Sequence, residues 1–206
     1  MDIKSRTKSV TAWLVPRVKP FLMAGFVVVV LQATGLMTAV THAAQWTLLQ
    51  TGLADADGNT NEEASSFSYE FTIKDLDGNR IPFEAFRGKV VFLNLWATWC
   101  GPCRAEMPGI QRLFEKVDRE KVVFVMLSLD KDADQPKINA YLKDKSFTFN
   151  AYQPSGYLPE HLQVPSIPTT FIISPEGKVV KKEVGAVQYD TPEFLRLLEK
   201  LASLDK

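Results

Sequence analysis

The sequence predicts an α/β fold in which a central mixed sheet is flanked by helices. Three observations carry this expectation. The runs Val90–Trp96 and Val122–Leu129 are almost wholly apolar, as strands buried on both faces are. Each is followed by a segment of helical periodicity. The chain then closes with two strand-like runs around a Pro-Glu-Gly turn and an amphipathic helix.

Tyr69–Lys74 reads as an edge strand that ends in a turn at Asp77-Gly78-Asn79. Val90–Trp96 reads as a central strand. Pro102–Val117 reads as a helix, with Ile110, Leu113, Phe114 and Val117 at helical spacing. Proline suits the first turn, because its missing N–H would be unpaired there anyway. Pro108 falls inside the helix and predicts a kink. Val122–Leu129 is a second central strand. After it come a helix over Gln135–Lys145, a short strand over Phe147–Tyr152 and a helical turn at Leu158–Leu162. Thr169–Ile173 and Lys178–Val184 form a hairpin around Pro175-Glu176-Gly177. Thr191–Leu204 closes the fold, with Phe194, Leu197, Leu198 and Leu201 on one face.

The chain has two cysteines, Cys100 and Cys103, where the first central strand hands over to its helix. Cys100 therefore lies at a helix N-terminus. Free N–H groups and the helix dipole favour an anion there, so its thiol should ionise easily and act as a nucleophile. Other uses of this spacing fit less well. A zinc site needs four ligands, and the only histidines are His42 and His161. Covalent haem attachment needs a histidine after the second cysteine, where Arg104 stands. A purely structural disulfide would close a very short loop and gain little from loop entropy.

With these residues in place, the chain resembles the thioredoxin superfamily, and within it the TlpA/ResA-type thiol–disulfide oxidoreductases of bacterial envelopes. The resemblance spans residues 68–203. It runs through Asp75-Leu76-Asp77-Gly78-Asn79, Gly88-Lys89-Val90-Val91, Trp99-Cys100-Gly101-Pro102-Cys103, Arg104-Ala105-Glu106-Met107-Pro108, Ile167-Pro168-Thr169-Thr170-Phe171, Pro175-Glu176-Gly177-Lys178 and Val184-Gly185-Ala186. It implies a thioredoxin-like fold, with the extra helix and strand between Leu129 and Ser166 matching the insertion of this group. It also implies a redox-active Cys100–Cys103 disulfide and a cis bond at Ile167-Pro168. Asn94 stands where thioredoxin has a buried aspartate, and reads as a hydrogen-bonding core residue. Glu106, three residues after Cys103, matches the helix glutamate of the TlpA/ResA pattern and is the expected proton acceptor. Trp99, Gly101, Pro102, Ile167, Pro168 and Gly185 are expected to form a shallow groove for substrate backbone. Trp96 reads instead as core.

The ends of the chain differ in charge. Of 24 basic and 24 acidic side chains, five basic and one acidic lie in residues 1–44, so the remainder carries a net charge of −4. No basic stripe suggests nucleic acid. All five early positive charges precede the uncharged run Phe21–Val40, which is long enough to span a bilayer. The positive-inside rule then exports the chain beyond Val40. The segment reads as a retained signal-anchor; a signal peptide cleaved near Ala43/Ala44 is the rival, and both place the domain outside the cytoplasm. Residues 45–66 read as a polar linker or partly ordered extension, and 67–206 as the thioredoxin-like domain that the resemblance implies.

The expected function is dithiol–disulfide exchange in the periplasm or extracytoplasmic space, with no cofactor and no metal. The resemblance implies a reductant of protein disulfides, apocytochrome c among the candidate targets, recharged by a membrane electron donor. A disulfide oxidase or isomerase is the enzymatic alternative. A non-catalytic Cu(I)- or thiol-binding module is the alternative from another class, since two thiolates can hold Cu(I).

Overall fold

In the computed structural model, residues 65–203 are described, together with Met23, Phe26 and Ala56. Among them, eight strands form one sheet: β1 (Ser65–Ser66), β2 (Thr72–Asp75), β3 (Arg80–Pro82), β4 (Val90–Trp96), β5 (Val122–Ser128), β6 (Ala151–Pro154), β7 (Thr169–Ile173) and β8 (Lys178–Val184). Their spatial order is β1-β8-β7-β4-β5-β6-β2-β3. The pairs β4–β5 and β5–β6 are parallel; the others are antiparallel. Parallel neighbours need a crossover, supplied by α1 (Gly101–Lys116) and α2 (Gln135–Asp144). The last helix, α3, covers Pro192–Ser203.

All seven residues of β4 are buried. Successive side chains point to opposite faces. Val90, Phe92 and Trp96 join a core with Met107, Ile110 and Leu113 of α1, Ile138 and Leu142 of α2, and Phe194 and Leu198 of α3. Val91, Leu93 and Leu95 face a second core with Ile73, Phe83, Leu127, Leu162 and Phe171. Three helices thus supply one face. The other is covered by short 3-10 turns at Phe83–Phe86 and Glu160–Leu162 and by aromatic side chains such as Phe71 stacked on Phe83 at 4.4 Å.

The structure corrects several expectations. β2 begins at Thr72 rather than Tyr69 and is flanked on both sides; the three-residue β3 is the edge. Phe67 and Tyr69 are buried by their rings, 5.1 Å apart, without strand pairing of their own. The strand expected over Phe147–Tyr152 is β6, shifted to Ala151–Pro154, while Phe147 and Phe149 stack on each other under α2. Within the expected linker or partly ordered extension over 45–66, Ala56 is 2% exposed and belongs to the α1–α3 core, and Ser65–Ser66 pairs with β8. Pro108 lies inside α1, which continues past it to Lys116, so the proline does not end the helix.

The chain divides into two units, Met1–Ala43 and Ala44–Lys206. In the first, Met23 and Phe26 are helical and exposed. The rest of Phe21–Val40, and the cleavage site at Ala43/Ala44, lie outside the described residues. Among the described residues, no helix is long and apolar enough to cross a membrane.

Candidate active site

The ends of β4 and β5 build the platform for the cysteines. Trp96 and Ser128 are register partners, and Leu129 N–H donates to Trp96 O at 2.7 Å. Two residues past Ser128, Asp130 is buried and turns back to hold the segment after β4. Its carboxylate accepts from Thr98 N–H at 2.8 Å, Thr98 Oγ1 at 2.6 Å and Ser128 Oγ at 2.7 Å. A carboxylate with three donors is well satisfied despite burial. This clamp fixes the loop that leads into Trp99 and Cys100. The sequence marks it only faintly, by an acid just past an apolar run, and does not single out Asp130.

Cys100 is the N-cap of α1, with extended backbone, and Pro102 stands in the first turn. The disulfide to Cys103 is closed, with S–S 2.05 Å. Cys103 N–H points at Cys100 Sγ, 3.2 Å away. That amide, together with the helix dipole, is placed to stabilise a Cys100 thiolate once the disulfide opens. Cys100 is 5% exposed and Cys103 fully buried. The Cys100 sulfur therefore offers the edge that a partner can reach.

The Ile167-Pro168 bond is cis, and the Ile167 carbonyl oxygen lies 3.7 Å from Cys100 Sγ. Pro168 O accepts from Gly185 N–H at 2.9 Å. Gly185 has φ of +95°, in the left-handed region that favours glycine. Two large apolar side chains flank this series of contacts in solvent: Trp99, 70% exposed, and Val184, 53% exposed. Gly101, Pro102 and Ile167 are half-buried. Trp96, by contrast, is wholly buried. Cavities of about 520 and 310 Å³ lie elsewhere, the first beside Lys89 and Lys121 and the second beside Asp75 and Phe149.

Glu106 is fully buried one turn after Cys103. Residues three apart share a helix face, so the carboxyl and the Cys103 sulfur lie on one side of α1. Asn94, on the same face of β4 as Trp96, donates from Nδ2 to Glu106 Oε1 at 2.8 Å and to Thr170 Oγ1 at 2.9 Å. Val187 N–H donates to Glu106 Oε2 at 3.2 Å. Burial pushes the Glu106 carboxyl up to about 8, against the smaller opposing pull of the Asn94 and Val187 hydrogen bonds. Burial, with the Glu106 carboxyl adding to it, also raises the neighbouring Tyr189 phenol. The sequence singles out Asn94 and Glu106 separately; the structure joins them. Thr170 and the Val187 amide leave no such mark, because they reach this cluster only through the pairing of β4 with β7 and the loop after β8.

The comparisons with known proteins agree with this geometry. Residues 64–182 match the AhpC/TSA family. A thiol–disulfide oxidoreductase ResA of Bacillus thuringiensis is 35% identical over 130 residues, 61% of this chain and 74% of the relative. The ResA of Bacillus subtilis is 30% identical over 157 residues, 75% of this chain and 84% of the relative. In fold, the chain is similar to a thiol:disulfide interchange protein of the thioredoxin family from Chlorobium tepidum. That likeness has a TM-score of 0.55 at 22% identity and covers 69% of this chain and 99% of the other. The chain belongs to the AhpC/TSA family and is a thioredoxin-like thiol–disulfide oxidoreductase related to the ResA proteins.

Proposed function

We propose that the protein reduces protein disulfides outside the cytoplasm through a Cys100–Cys103 cycle in which Glu106 handles the proton. The observation that carries this reading is a fully buried glutamate one turn from the fully buried cysteine, where burial pushes its carboxyl up to about 8. An ordinary thiol ionises near about 8.5, so proton transfer between Cys103 and Glu106 is close to balanced. An ordinary carboxylate would be far too weak a base.

The Cys100 thiolate attacks one sulfur of the partner disulfide, forming a mixed disulfide and expelling the first partner thiolate. Cys103 then gives its proton to ionised Glu106. The new Cys103 thiolate attacks Cys100 Sγ, closes the disulfide and expels the second partner thiolate. Two electrons pass to the partner, and the oxidised protein retains the proton on Glu106. A membrane dithiol donor reverses these steps and returns the proton to Cys103.

Asn94 suits both charge states of Glu106. As placed, its Nδ2 serves the carboxylate, and its Oδ1 has no hydrogen-bond partner among the described residues. Turning the amide over would offer Oδ1 to a protonated carboxyl, while Nδ2 gives up that contact. Trp99, Gly101, Pro102, Ile167, Pro168 and Gly185 form the substrate groove in this reading. The exposed apolar rim of Trp99 and Val184 supports an extended protein segment as substrate. A reduced apocytochrome c thiol pair is one product class that fits, because haem attachment needs free thiols.

Residues 1–44 are proposed to carry the domain across the inner membrane and hold it there. The support is the one-sided charge around Phe21–Val40. A reporter active only outside the cytoplasm, fused after Lys206, should be active; activity of a cytoplasmic reporter at that position would overturn the localisation. For the chemistry, Cys103→Ser should trap mixed disulfides with partners and Cys100→Ser should not. The reduction potential of the pair decides direction: a value more reducing than the compartment supports a reductant, a strongly oxidising one supports an oxidase.

A further inference from the structure

The loop from Gly185 to Thr191 packs over Glu106; besides the Gly185 N–H to Pro168 O bond, it is fastened to the rest of the domain at four points. Val187 N–H donates to Glu106 Oε2. The Gln188 side chain lies so close over Gly109 of α1 that a Cβ there would collide with Gln188 Oε1. Asp190 is paired with Arg112 at 2.7 Å and with Lys116. The fourth fastening comes from far upstream. Ala56 N–H donates to Gln188 O at 2.9 Å, and Thr191 Oγ1 donates to Ala56 O at 3.0 Å.

These fastenings differ in strength. The lysine and arginine that pair with Asp190 are half-exposed, so that contact is screened and weak. The Ala56 contacts are backbone-directed and buried, and Ala56 is 2% exposed in the α1–α3 core. Thr191 Oγ1 also accepts from Phe194 N–H at 3.1 Å, so the same hydroxyl caps α3 and holds Ala56. Val187 and Gln188 are adjacent. Whatever fixes the Gln188 carbonyl therefore fixes the amide that holds Glu106.

We propose that Ala56 is a positioning residue: docked on Gln188 and Thr191, it holds the Val187 amide against Glu106 and keeps water from that carboxyl during the dithiol cycle. This rests on the reading of Glu106 as the proton acceptor. The groups around Glu106 are Asn94 from β4 and the Val187 amide, both bonded to it, Thr170 of β7 reached through Asn94, Tyr189 of the loop, and Cys103 one turn back on its own helix. Of these only Tyr189 and reduced Cys103 titrate; Glu183 of β8 and Glu106 both act on Tyr189. Ala56, upstream of the thioredoxin-like sheet in sequence, would thus tune the site's acid.

The test uses the full chain. Ala56→Pro removes the N–H that reaches Gln188; Ala56→Gly keeps it and keeps the small volume. Amide hydrogen exchange at Val187 and titration of the Glu106 carboxyl are measured in each. Ala56→Pro should speed Val187 exchange by about tenfold or more while amides of β4 keep their protection. It should also move the Glu106 midpoint down by about one unit, because admitted water relieves the burial that raises it, and this larger effect outweighs the upward shift from losing the Val187 hydrogen bond. Ala56→Gly should match wild type. If Ala56→Pro does not fold, Ala56→Glu displaces residue 56 from the core by size and charge and is read in the same way. A folded Ala56→Pro or Ala56→Glu protein with unchanged Val187 protection and an unchanged or raised Glu106 midpoint overturns the proposal. The same substitution in a Glu106→Gln background separates the two readings. There, Val187 exchange should still accelerate, with no further change in disulfide-exchange rate. Altered Val187 protection with a shifted midpoint but an unchanged rate in the wild-type background would support the positioning role and sink the proton-acceptor role instead.

Discussion

The two faces of β4 make different uses of the same strand. Val91, Leu93 and Leu95 enter a core built from apolar and aromatic side chains. On the opposite face, Asn94 interrupts Val90, Phe92 and Trp96 and meets Glu106 and Thr170, all fully or almost fully buried. Burying a carboxyl is costly, and an apolar residue of similar size would be easier to accommodate. The first face shows what the fold needs for stability. The second shows what it gives up to keep an acid of raised pKa beside a thiol.

Substitutions can break this comparison, and the largest effect belongs to the cysteines. Cys100→Ser should abolish disulfide reduction in an insulin assay while leaving the fold intact. In reduced wild type, limiting iodoacetamide should label Cys100 before Cys103, since Cys103 is fully buried. Preferential labelling of Cys103 would reverse the assigned roles. Glu106→Gln should slow exchange by roughly 10²–10⁴-fold, the usual contribution of a positioned proton acceptor, in a folded protein. Equal rates for the variant and wild type from pH 5 to 9 would reduce Glu106 to a buried structural residue.

The apolar face should respond in the opposite way. Leu93→Ala should cost about 2–5 kcal/mol in denaturant unfolding, with little change in the rate per folded molecule. A loss of rate without a loss of stability would mean that the faces are not separable. The stability of wild type should also depend on pH through Glu106. Folded Glu106 titrates near 8 and an ordinary glutamate near 4.5. Between those values the folded state holds a proton that the unfolded chain has lost, so stability should fall as pH rises through the window. Glu106→Gln should remove that slope. The smallest effect is expected at the rim: Trp99→Ala should raise KM for a protein substrate several-fold with little change for a small disulfide, because only an extended partner reaches an exposed ring.

Much of this arrangement is legible in residue order. β4 and β7 stand where the apolar runs do, because buried central strands leave a dense signal, whereas β8 is bounded by the Pro-Glu-Gly turn and Gly185. Cys100 at a strand-to-helix junction locates the site. The three residues of β3, one of them proline, carry no periodicity and give no strand signal. Phe147 and Phe149 draw the expected strand to the wrong place; the register of Ala151 with Met126 and of Tyr152 with Asp75, both tertiary contacts, sets β6 instead. The partners of Glu106 are harder still. Val187 is 81 residues away in sequence, and the Thr191–Ala56 bond spans 135. Asp130 has no local mark of its role, since its meaning depends on β4 and β5 ending side by side.

The central claim is that burial on the Asn94 face holds Glu106 as a base matched to a thiol. Its most direct test is the titration of the Glu106 carboxyl in the oxidised protein, followed by carbon-13 NMR or infrared absorption and assigned by its loss in Glu106→Gln. The expected midpoint is about 8. A midpoint between about 4 and 5, the range of a solvated carboxylate, would contradict the claim and leave solvent to accept the Cys103 proton.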